Sequence, residues 1–213
     1  MSVVEMSQAV LPQAVFLPVW VKVSWALVVS AVVLRLTPRL KVSLWLASVV
    51  SVVMLLPHTS ASGYLALAFQ TPSLVLVAWA IWCWADVLQM RSPVATTPTS
   101  VAWMGVLLGW ALVVDTLNYW PAWFNPQLYA LGFMSAGLWL VLAACAVALL
   151  WVQPPKRWVF SVVVVLAAYV LLRLPTGNVW DAVLDPFVWL TLHVQLLRAG
   201  CTWHASGASS TGE

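Results

Sequence analysis

Ser161-Val-Val-Val-Val-Leu-Ala-Ala-Tyr169 decides the class of fold. The run shows no alternation of apolar and polar positions. A strand of a membrane barrel needs that alternation, because one face meets lipid and the other the lumen. In a bilayer the backbone must satisfy its own hydrogen bonds, and a helix does so without any alternation.

The same texture extends in both directions. The 213 residues are 63% hydrophobic and 7% charged, with a mean hydropathy of +0.97. Soluble domains carry about a quarter charged residues, so these charges are too few to cover a water-facing globule. Pro, Gly and single charges punctuate apolar runs, each near the ~20 residues that cross a bilayer. The expected fold is an all-α polytopic integral membrane bundle of about seven transmembrane helices.

The expected spans cover about 14–36, 40–56, 73–90, 101–117, 128–151 and 159–174, with a short seventh at 186–197. Between the second and third, Tyr64-Leu-Ala-Leu-Ala-Phe69 is too short to cross. It is either an interfacial turn or an outward extension of the third helix, kinked at Pro72. Residues 1–200 form a single transmembrane domain in this reading, and the Ser/Gly/Thr-rich 201–213 is expected to be a disordered cytoplasmic tail. Met1–Met6 lacks the basic region of a signal peptide, so no cleaved leader is expected.

Basic residues set the orientation. They follow span one (Arg35, Arg39, Lys41), span three (Arg91), span five (Lys156, Arg157) and span seven (Arg198), while 57–72 and 118–127 hold none. The positive-inside rule then places the N-terminus outside and the C-terminus in the cytoplasm. Six spans would result if the last segment does not cross. The expected location is a cell membrane, the bacterial inner membrane.

Other classes lack support. Nine basic residues in short loops make no patch for nucleic acid. Cys83, Cys145 and Cys201 show no paired or CxxC spacing. No HExxH, P-loop or Gly-x-Ser-x-Gly occurs, so no catalytic residue, metal or cofactor is assigned.

Sixteen tryptophans remain to be placed. Trp20, Trp103, Trp120, Trp123, Trp151, Trp158 and Trp180 lie near span ends, as in an aromatic belt. Trp25, Trp45, Trp79, Trp82, Trp110, Trp139 and Trp189 sit deeper. Trp79, Trp82 and Asp86 share a helix face at i, i+3 and i+7.

Polar chemistry concentrates in Arg173-Leu-Pro-Thr-Gly-Asn-Val-Trp-Asp-Ala-Val-Leu-Asp-Pro-Phe-Val-Trp-Leu-Thr-Leu-His193. The topology brings His58, Asp115, Asn118, Arg173, Asp181 and Asp185 to one depth near the outer surface. Arg173 is expected to hold carboxylates through its forked donors. Lys22, Asp86 and His193 are polar groups inside spans. Such groups cost on the order of 2.5–3.5 kcal/mol at a helix centre and point to function by default.

Three readings of the cluster are open. One is structural, with Asn178 or Asp185 as helix N-caps and Pro186 at a first helical position. Another is a solute or ion site at the bundle mouth, and the last a metal or hydrolytic site.

Loops of about 5–15 residues leave no room for an extramembrane catalytic domain. The expected function is therefore a non-enzymatic accessory or scaffold subunit, with the bilayer and other membrane subunits or a second copy as partners. The alternatives are a small transporter or channel whose outer entrance is lined by Arg173, Asp115, Asp181 and Asp185, and a membrane-embedded enzyme.

Overall fold

A computed structural model describes residues 17–37, 40–56, 61–90, 97–121, 123–124, 126–152, 156–172, 174 and 176–208. Every regular element among them is a helix. In chain order these are α1 (Leu17–Leu36), α2 (Leu40–Leu55), α3 (Ala61–Phe69), α4 (Leu74–Leu88) and α5 (Thr99–Thr116). Then come α6 (Leu128–Leu131), α7 (Ser135–Val152), α8 (Lys156–Leu172), α9 (Val179–Val183) and α10 (Pro186–Ala208).

Among the described residues, α1 and α5 are long and apolar enough to cross a bilayer, judged by length and composition. The helices α2 and α4, and the stretches Gly137–Val147 and Val159–Leu172, are apolar but shorter.

Three boundaries differ from the sequence reading. Tyr64–Phe69 belongs to α3, a separate short helix, because Gln70 takes a left-handed φ of 61° before Pro72. The expected fifth span is broken after α6, where Gly132, Phe133 and Met134 turn the chain. The last helix runs past Gly200, where the ordered chain was expected to end, to Ala208. A single glycine costs a helix only about 1 kcal/mol, and Cys201-Thr-Trp-His-Ala205 contains no proline to stop it. Residues 209–213 lie outside the described residues.

The chain divides into two compact units, Met1–Ala95 with Phe160–Val183 and Thr96–Val159 with Leu184–Glu213. In the first, α1 packs against α2, α3 and α4, and α9 packs against α4. Many buried positions of these helices are small, namely Ser24, Ala26, Ser30 and Ala31 on α1, Ser43 and Ala47 on α2, and Ala80 and Cys83 on α4, set among larger ones such as Trp25, Leu34 and Leu76. Small side chains let helix backbones approach closely.

The serine hydroxyls need no outside partner. Ser24, Ser30 and Ser43 donate back to the carbonyls of Val21, Leu27 and Leu40 at 3.0–3.2 Å. Indoles tie the helices together. Trp84 donates to Ser30 Oγ (2.9 Å), Trp82 to Ser161 Oγ (2.6 Å) and Trp25 to the Gln70 carbonyl (3.0 Å). Ser73 caps α4, its side chain accepting the Leu76 N–H at 3.1 Å.

In the second unit α5 packs on α10, and α6 bridges α5 and α7. The α5 seam is Gly105-Val-Leu-Leu-Gly109. A Cβ at Gly105 would strike the Leu192 side chain, and one at Gly109 the Trp189 indole. The Leu192 methyl can swing aside, but the Trp189 ring cannot, so Gly109 is the position where the close approach requires glycine.

Candidate functional site

The stretch richest in polar groups folds into the most completely buried turn among the described residues. Leu174, Gly177, Asn178, Val179, Trp180 and Ala182 are all buried, Asn178 and Val179 completely. Non-helical backbone can lie that deep only if its polar groups find partners within the protein.

They do so through side chains of the same stretch. Tyr169, itself fully buried on α8, donates its hydroxyl to the Gly177 carbonyl at 2.8 Å. Thr176 donates to Asp181 Oδ2 at 2.5 Å, while its hydroxyl oxygen accepts the Asn178 N–H at 3.2 Å. Asn178 Oδ1 accepts the Trp180 N–H at 3.0 Å and so caps α9. Gly177 holds φ at 85°, a region that side chains with a Cβ avoid.

The remaining candidates also serve the backbone. Asp185 Oδ1 accepts the Val188 N–H at 2.8 Å, and its carbonyl accepts the Trp189 N–H. Asp185 with Pro186 behind it is therefore the N-cap of α10, as the structural reading expected.

Asp115, in the last turn of α5, reaches forward across the connection. Its Oδ1 accepts the Trp120 indole N–H at 3.0 Å, and Oδ2 accepts the Tyr129 N–H at 2.8 Å. A carboxylate from one helix thus satisfies an orphan donor at the start of α6.

Asn118 closes α5. Its φ is 55°, its N–H bonds the Asp115 carbonyl, and the Tyr119 N–H bonds the Val114 carbonyl. That is a Schellman motif, with asparagine in the left-handed position.

His58 and Arg173 lie outside the described residues. Asp115, Asn118 and Asp185 belong to the second unit and Asp181 to the first.

Inside the helices, Lys22 is half-buried in the second turn of α1. Asp86 is buried near the end of α4, 3% exposed. It lies one turn beyond Cys83, whose Sγ accepts a hydrogen bond from Arg35 Nε at 3.3 Å. Trp82 and Trp84 of α4 turn to hydroxyls on other helices, with Trp82 also edge-on to Phe160 at 6.2 Å between ring centres.

His193 bonds back along its own helix, Nδ1 lying 2.8 Å from the Trp189 carbonyl. Trp180, expected in an aromatic belt, is instead buried with α9. Sequence position near a span end does not show that a short helix folds inward there.

Among the described residues no group of three or more His, Cys, Asp or Glu is placed to hold a metal ion. Comparison with protein-family models, curated proteins and solved structures finds no match. The glycine seam of α5 and the Schellman role of Asn118 went unexpected. The Gly-x-x-x-Gly spacing is the signal that marks the first.

Proposed function

We propose that the chain is a multi-pass membrane protein serving as a non-enzymatic accessory or scaffold subunit of a membrane complex. The observation that carries this reading is the use of its charges. Asp115, Asp181 and Asp185 all hold backbone or turn groups, while large indoles such as Trp45, Trp103 and Trp139 face outward. Polar chemistry builds the fold, and apolar surface remains for lipid and partner helices.

The pattern of burial supports the membrane setting. Serines and alanines are inside, whereas Val52, Ile81, Leu107 and Leu171 are exposed on four different helices. Exposed apolar side chains on so many helices suit contact with lipid or a partner better than contact with water. Helices of 15–16 residues, such as α2 and α4, cross by local thinning and with their flanking residues. The 23 residues of α10 extend about 34 Å at 1.5 Å each. That is length enough to cross, although Gln195 and Arg198 leave α10 less apolar than α1 and α5; in this reading it is the seventh span, with the N-terminus outside and the C-terminus cytoplasmic.

The test is solubilisation into polymer-bounded native bilayer discs, with a photo-crosslinking amino acid at Trp45 or Trp139. A discrete partner subunit crosslinked in stoichiometric yield is the expected result. A monomer that crosslinks only to lipid and is stable alone overturns the scaffold reading.

Asp86 favours a second reading, a small transporter or channel, because it places a buried carboxylate within α4. Flux into proteoliposomes that is lost in Asp86→Asn, with the fold intact, would establish it.

A further inference from the structure

On the α5/α10 pair, two polar ring atoms are left over. A carbonyl can only accept, so the 2.8 Å contact of His193 Nδ1 with the Trp189 carbonyl puts the ring proton on Nδ1. In the neutral imidazole Nε2 is then a hydrogen-bond acceptor. The Trp189 indole stands edge-on to this ring, 4.7 Å away at 90°, and gives its own N–H to the Val106 carbonyl at 3.2 Å.

Trp110 completes the group, 5.0 Å from Trp189 and 6.3 Å from His193 between ring centres. Among the described residues, neither His193 Nε2 nor the Trp110 indole N–H has a hydrogen-bond partner. An acceptor-bearing ring and a donor-bearing ring are therefore neighbours, His193 half-buried and Trp110 51% exposed.

Their surroundings are apolar. Trp103, Leu107 and Trp110 form one exposed line on α5 at i, i+4 and i+7, and Leu190, Val194 and Leu197 repeat that spacing on α10. Along α10, His193 is seven residues from Pro186, about 10 Å at 1.5 Å per residue. On the membrane reading just given, which this inference rests on, that depth is below the headgroups.

We propose that this pair binds a membrane-soluble hydroquinone, a flat ring bearing hydroxyl groups and an apolar tail. The hydroxyls of such a ring can donate to Nε2 and accept from the Trp110 N–H, whereas a carbonyl serves only the tryptophan. The indole edges suit a planar ring, which gains from edge-to-face contact. The apolar lines on α5 and α10 take the tail.

The probe is a decyl-substituted benzohydroquinone, kept reduced without oxygen, titrated against the full chain in phosphatidylcholine nanodiscs. The readouts are affinity and the Nε2 resonance of 15N-labelled histidine. The hydroquinone should shift that resonance and bind about tenfold more tightly than its dimethyl ether or the oxidised quinone, a difference of one hydrogen bond or about 1.4 kcal/mol.

His193→Phe and Trp110→Phe should each weaken binding about tenfold while the protein stays helical and monodisperse. Trp110→Phe leaves the His193–Trp189 bond in place, so it reports on the site even if His193→Phe perturbs the helix. Equal binding of hydroquinone and ether overturns the proposal. So does equal or tighter binding of a sterol, whose hydroxyl is carried on an aliphatic ring. A protein that enters the discs yet leaves Nε2 unmoved also defeats the site, with the membrane reading intact. Failure to enter the discs at all defeats the membrane reading instead.

Discussion

Two connections in this protein solve opposite problems. The turn at 176–185 carries its polar groups inward, into a place where Asn178 and Val179 are wholly buried. The connection from Leu117 to Met134 lies open, with Tyr119, Trp123 and Phe124 exposed. The first must satisfy its backbone internally and does so with Tyr169, Thr176 and Asn178. The second relies on Asp115 to draw Trp120 and the start of α6 back to α5. Burial therefore decides what a polar side chain is worth: inside, it prevents an unsatisfied backbone group, while outside it only selects a conformation.

Asn178→Ala should break this contrast most strongly. It leaves the buried Trp180 N–H without its acceptor, a loss of about 1–3 kcal/mol for an unsatisfied buried group. Thermal unfolding in detergent should fall by several degrees. Little change would mean that water reaches the turn. Tyr169→Phe removes one donor to Gly177 and keeps the ring, so the expected loss is smaller, about 0.5–1.5 kcal/mol for one hydrogen bond. An unchanged melting temperature would show that the Gly177 carbonyl has another donor.

The open connection should respond less. Asp115→Asn retains one acceptor oxygen and loses the charge that strengthens both bonds, so the expected cost is about 1 kcal/mol or less. Its clearest signature is local, namely faster hydrogen exchange at the Tyr129 amide with no change elsewhere. Global destabilisation as large as that of Asn178→Ala would show that the 117–134 connection is as integral as the buried turn.

Much of this contrast was readable from residue order, but only along single helices. Asp185-Pro186 before an apolar run is a helix start, and the structure caps α10 with it. Apolar runs bounded by Pro and Lys/Arg mark α1, α2, α4, α5 and α8 to within a few residues. What could not be read depends on residues distant in sequence. Gly105 and Gly109 matter because Leu192 and Trp189 come against them from α10, some 80 residues on. Asp115 is a plain acidic residue at a span end until Tyr129 returns to it. Trp180 resembles a belt tryptophan, and its burial follows from α9 packing against α4. The expectation of one outer cluster assigned Asp115, Asn118, Asp181 and Asp185 to each other by depth alone. Each has a backbone duty or a turn partner near its own place in the chain, while Arg173 and His58, on which the cluster turns, lie outside the described residues.

Trp123→Ala is the smallest and most discriminating change. The indole is 85% exposed and meets Phe124 at 5.9 Å between ring centres, so its removal takes little from the folded core. Surface substitutions of this kind stay within about 0.5 kcal/mol, and the melting temperature should not move. On the membrane reading proposed above, the residue sits at a span end, where a tryptophan anchors in the headgroup region. The variant should therefore show weaker quenching of the remaining indole fluorescence by headgroup-depth brominated lipid, with unchanged quenching by lipid brominated at the chain ends. If neither signal moves, Trp123 does not touch the bilayer, and the open connection projects into water or against another chain.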